Sequence, residues 1–100
     1  MDNQFTQLIN SSKPTLVDFF AEWCGPCKMM KPILVDLKNR VGEEAVIIKI
    51  DVDKNPQLAQ QFQIQGVPTL AVFKEGKMVW RQSGVMQANQ LEQVLKPFMS

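Results

Sequence analysis

At 100 residues, with 45% apolar and 21% charged residues, the chain is sized for one compact domain on a single core, and a second domain has no room. Eleven basic and ten acidic residues leave a formal charge of +1, so there is no electrostatic footprint for nucleic acid or an anionic membrane. The lack of histidine removes the usual imidazole base and the commonest zinc ligand, and no apolar run approaches the roughly 20 residues of a membrane helix.

Met1 to Asn10 has neither a basic leader region nor a continuous apolar stretch, which predicts a cytoplasmic protein. Thr15 to Phe20 is a nearly unbroken β-prone run, the pattern of a strand covered on both faces, and its one charge, Asp18, is the anomaly. From Cys27 onward Met30, Leu34 and Leu37 recur at helical spacing, so a helix begins near the cysteines. Pro26 fits its first turn and Pro32 falls in its interior. Ala45 to Val52 reads as a second strand interrupted by Lys49, and Asn55-Pro56 opens a short helix to about Gln63.

After Gly66-Val67-Pro68, the segments Thr69 to Phe73 and Lys77 to Ser83 flank Glu75-Gly76 as an antiparallel hairpin, with Gly84 interrupting the second strand. Gln87 to Phe98 closes the chain as a helix with Leu91, Val94, Leu95 and Phe98 on one face. The order is a βαβ unit followed by ββα, which predicts an α/β domain spanning residues 1–100, with helices on both faces of a mixed sheet.

Two cysteines two residues apart meet within one helical turn. A strand leading into a helix puts Cys24 at the helix N-terminus, where unpaired N–H groups and the macrodipole favour a thiolate. Only the thiolate attacks a disulfide sulfur; Cys27, one turn further in, is expected to be more buried and more protonated. A zinc site lacks ligands, since there is no other cysteine, and a permanent structural disulfide would close only a tiny loop. Asp18 either reaches solvent at a strand edge or pays for burial with a raised pKa or a partner.

The run from Val17 through Trp23-Cys24-Gly25-Pro26-Cys27-Lys28 resembles the thioredoxin family. The likeness continues through Pro32, Lys49 to Asp53, Asn55-Pro56, and Gly66-Val67-Pro68-Thr69-Leu70 to Gly84, nearly the whole chain. The resemblance implies the thioredoxin fold and protein-disulfide reduction, with Cys24 attacking a client disulfide and Cys27 resolving the mixed disulfide. It makes Asp18 the proton acceptor for Cys27, through water, with Lys49 as its partner on the neighbouring strand. It implies a cis bond at Pro68, against a base rate of about 5% for X-Pro bonds, with the proline against the two sulfurs. The backbone of Val67 is then free to pair with an extended client. Trp23, Gly25, Pro26, Gly66, Val67, Gly84 and Val85 are expected around Cys24 as a flat apolar rim.

The family implies no bound cofactor and no metal; the Cys24–Cys27 disulfide is recycled by an NADPH-dependent flavoprotein, thioredoxin reductase, and passes electrons to oxidised client proteins. Gly25-Pro26, where oxidants and isomerases carry a histidine, favours the reducing direction. Two other roles share these features: a dedicated electron donor to one enzyme, such as a peroxidase, ribonucleotide reductase or methionine sulfoxide reductase, and a non-catalytic binding module. Phe20 stands where many relatives carry tryptophan, and Ser83 replaces a commoner valine. Gln4 to Asn10 matches the family's first helix, so the strand that usually precedes it is missing. About four strands are then expected, with Ala45 to Val52 at a sheet edge. A monomer is expected, with a dimer through that edge as the alternative. Trp80 is read as packing or surface with no assigned role, and the six methionines, Met29, Met30 and Met86 among them, as core filler.

Overall fold

The apolar run at Thr15–Phe20 forms strand β1, and its burial on both faces follows from its place inside the sheet. The structure, a computed structural model, describes residues 3–99, without the side chain of residue 3. Helix α1 is Asn3–Ile9; whether a strand precedes it concerns residues 1–2, which lie outside the described residues. After β1 come α2 (Gly25–Val41), β2 (Val46–Asp51), α3 (Pro56–Gln61), β3 (Thr69–Lys74), β4 (Lys77–Ser83) and α4 (Ala88–Leu95). The sheet order is β2-β1-β3-β4, with β1 parallel to β2 and antiparallel to β3, and β4 antiparallel to β3. Strand β2 is thus an edge, as the sequence predicts.

Strand periodicity divides the core in two. Leu16, Leu70 and Val72 face α2 and α4, where they meet Met30, Leu37, Leu91 and Leu95. Val17, Phe19, Ala71 and Phe73 face the other way, onto Phe5, Ile9 and Leu58 from α1 and α3. Trp80 is half-buried against the first of these clusters, which accounts for its presence on β4.

Several ends differ from the sequence reading. Asn55 precedes α3, but its side-chain amide donates to the Asp51 carbonyl at 3.0 Å instead of capping the helix. The last helix is α4 followed by a 3-10 turn over Lys96–Phe98, where Pro97 supplies no N–H to continue the α-helical ladder. Gly84 does not interrupt β4 but follows its last residue, at φ 100°. A Cβ there would meet nothing within 4 Å, so the backbone conformation and not a close neighbour is what favours glycine.

Candidate active site

The turn from β1 into α2 carries the cysteines. Cys24 takes an extended backbone conformation, ends the strand connection and is the N-cap of α2; the Cys27 N–H donates to its Sγ at 3.1 Å. Pro26 falls in the first helical turn, where a missing donor costs nothing. The two cysteines are joined as a disulfide with Cα atoms 5.3 Å apart. Cys27 was expected to be the more buried, yet the two are alike, at 4% and 5% exposure. What separates them is the helix end: only Cys24 Sγ receives a main-chain N–H and sits at the positive pole, so in the dithiol state that sulfur is the one favoured as a thiolate.

The Val67–Pro68 peptide bond is cis. Pro68 is buried, and the Val67 carbonyl oxygen lies 3.6 Å from Cys24 Sγ. This loop is held from both sides. Thr69 Oγ1 donates to the Gly66 carbonyl at 2.6 Å and lies 3.1 Å from Ser83 Oγ, and Gly84 N–H donates to the Pro68 carbonyl at 2.8 Å. Ser83, which differs from the family pattern, therefore contributes a hydroxyl to the brace. Gly66, Gly84, Val67 and the cysteines converge through these contacts. Val85 is half-buried and packs against the α2–α4 core, which anchors the chain after Gly84.

Trp23, Gly25 and Pro26 are exposed beside Cys24, with Trp23 at 72%. That exposure excludes a plain core role for the indole. Its Nε1–H donates to Asp53 Oδ2 at 2.8 Å. The loop bearing Asp53 is in turn shaped by Asp51, whose Oδ1 accepts from the main-chain N–H of Asp53 and Lys54 at 2.9 and 3.3 Å. Sequence reasoning assigned Asp53 no role, since the contact joins residues 30 apart and nothing local signals it.

Asp18 is fully buried, and neither carboxylate oxygen has a hydrogen-bond partner. Burial pushes its carboxyl up from 3.8 to about 6, and the Lys49 charge pulls back against that rise. Lys49 lies directly across the β1–β2 ladder, yet among the described residues no ion pair joins the two. Its ammonium sits instead over the Phe20 ring, 5.3 Å from the centroid. Lys49 thus acts on Asp18 through its charge from across the ladder and not through a hydrogen bond. A cleft of about 180 Å³, bounded by Phe20, Cys27, Lys28, Lys31 and Lys49, opens beside these groups. Among the described residues no three His, Cys, Asp or Glu side chains cluster as metal ligands would, and no helix is long and apolar enough to cross a membrane.

A family model described as Thioredoxin matches residues 1–97. The chain is 51% identical over 92 residues to a thioredoxin-like protein of Synechocystis sp., covering 92% of this chain and 88% of that protein. It is 47% identical over 90 residues to the chloroplastic thioredoxin Y2 of Arabidopsis thaliana, covering 89% of this chain and 54% of that protein, so it spans about half of that relative's length. Among solved structures, a mutant thioredoxin from Halobacterium salinarum superimposes with a TM-score of 0.90 at 31% identity, covering all of this chain and 87% of that one.

Proposed function

Because the chain belongs to the thioredoxin family and is a thiol–disulfide oxidoreductase, we propose that it works as a general protein-disulfide reductase with Cys24 as nucleophile and Cys27 as resolving thiol. The observation that carries this assignment is the Cys27 N–H aimed at Cys24 Sγ at the α2 N-terminus. Cys24 thiolate attacks one sulfur of a client disulfide and expels the other as a thiolate, leaving a mixed disulfide. Cys27 then loses its proton and attacks Cys24 Sγ. The intermolecular bond breaks, the client leaves as a dithiol, and this chain is left with its Cys24–Cys27 disulfide.

Asp18 takes the Cys27 proton. Its pKa of about 6 is raised toward the working range of a base near neutral pH, and water entering from the cleft that Cys27 and Lys49 line relays the proton to the buried carboxyl, which does not itself line that cleft. Lys49 positions by charge, favouring the carboxylate once the proton has moved on. The client enters extended over Trp23, Gly25, Pro26, Gly66 and Gly84. It pairs with the main chain of Val67, a mode that reads backbone and so tolerates many sequences. Pro68 and Val85 hold that surface in place. The disulfide is returned to the dithiol by an NADPH-dependent flavoprotein, thioredoxin reductase, which fits a reducing compartment such as the cytoplasm.

The test is a paired trap. Cys27→Ser is expected to accumulate mixed disulfides with oxidised clients, whereas Cys24→Ser captures none and loses reductase activity. Equal trapping by both variants would overturn the order of attack.

A further inference from the structure

Strand β2 has an open window that its neighbours frame. Val46 N–H donates to the Pro14 carbonyl and Val52 N–H to the Phe20 carbonyl, both at 2.9 Å, so the even-numbered residues of the strand face β1. The N–H and C=O groups of the odd-numbered residues point outward. At the two ends the outward carbonyls are taken: Ala45 C=O accepts from Lys38 Nζ at 3.1 Å, and Asp51 C=O accepts from Asn55 N–H and Nδ2 at 3.0 Å. Ile47 and Lys49 lie between, with their main-chain groups facing away from the sheet.

Beside that window runs a groove of about 490 Å³ between β2 and α2. Leu34, Val35 and Ile47 form its floor, with Val35 64% exposed, and Lys31, Lys38 and Lys49 stand around it; no acidic residue lines it.

We propose that this edge takes an added antiparallel strand from a partner protein, a segment of pattern acid-x-apolar-x-acid. The apolar residue lies opposite Ile47, exchanging both main-chain hydrogen bonds with it and covering Leu34 and Val35. A residue two positions away on the same face falls opposite Lys49 and close to Lys31, and the one two positions the other way falls opposite Ala45, where Lys38 Nζ sits. Both places call for a carboxylate. A second copy of this chain is the wrong occupant: pairing β2 with itself across this window would set Lys49 and Lys31 of each copy among those of the other. The surface is clear of Cys24 and of the Val67–Pro68 loop, and it shares Lys31 and Lys49 with the cleft beside Cys27.

The probe is an end-blocked peptide, Thr-Glu-Thr-Val-Thr-Glu-Thr, titrated into the intact chain by NMR with hydrogen exchange read at single amides. Saturable binding of the disulfide protein that protects the Ile47 and Lys49 N–H groups is expected. Replacing the central valine by proline should abolish it, and Lys31→Glu should weaken it about fivefold. The proposal is overturned if those two amides stay unprotected or if the peptide with lysines for glutamates binds as well. It is overturned too if the shifts fall on Trp23 and Gly84 instead. Concentration-dependent protection of the same amides without peptide would make the occupant a second copy, and likewise overturn it.

Discussion

The two faces of the sheet are filled by different chemistry. Under α1 and α3, Phe5, Phe62 and Phe73 meet one another edge-on or tilted, with ring centroids 5.2 to 5.7 Å apart, and Phe19 joins Phe62 at 6.3 Å. Under α2 and α4 the fully buried side chains are aliphatic apart from Met30, with Trp80 and Phe98 only partly buried against them, and Asp18 sits on that side with no partner for either oxygen. The aromatic face is free to optimise packing because no redox group touches it. The other face holds a group that costs stability, and that group stands beside the only cysteines in the chain. Stability and exchange chemistry are thus separated by the thickness of one strand.

The sharpest way to break this division is Phe73→Ala. Phe73 is fully buried and contacts two of the rings, so truncation leaves a large void and should cost about 3 to 5 kcal/mol in urea unfolding. Disulfide exchange per folded molecule, measured well below the new melting temperature, should be unchanged. A fall in that specific rate would show that the aromatic face also sets the site geometry.

Asp18→Asn acts on the opposite face and in the opposite direction. The folded-state pKa of about 6 lies above the unfolded value near 3.8, so between those values the folded protein binds more protons. Asp18 therefore costs nothing below about pH 3.8, and stability falls as pH rises from there through 6. The asparagine variant should gain up to about 3 kcal/mol at pH 7 and almost nothing at pH 4. Resolution of the mixed disulfide by Cys27 should slow at neutral pH. A gain of equal size at pH 4 and pH 7 would mean that packing, not charge, is what the substitution relieves.

The two faces were unequally legible in the sequence. Thr15–Phe20 and Lys77–Ser83 were predicted to the residue, because apolar runs bounded by turn chemistry carry their own limits. The site elements that follow a local rule were equally visible: Cys24 at a helix start, Pro26 in the first turn, and Asp18 as a charge in a buried strand. The cis bond at Pro68 was legible only through family resemblance, since composition and base rate favour trans. What escaped was long-range. The position of the Lys49 ammonium over Phe20 rather than on Asp18 depends on a side-chain choice between two neighbours on one ladder. The similar burial of the two cysteines depends on how Ala21, Val52 and Val67 close around them.

The Trp23–Asp53 hydrogen bond is the other long-range feature, and removing it should give the smallest effect on stability. Both side chains are exposed, so Asp53→Ala should lower stability by about 1 kcal/mol or less. Its consequence falls on the rim: with the indole released, a protein client meets a less ordered surface beside Cys24, while a small disulfide that needs only the sulfur does not. KM for a protein client should therefore rise severalfold with little change in the rate toward a small aromatic disulfide. Asp53→Asn, which keeps an oxygen acceptor at the same reach, should restore most of the loss. Equal slowing toward both substrates would tie Asp53 to the thiolate itself and bring that loop, now assigned to neither face, into the chemistry of the α2 N-terminus.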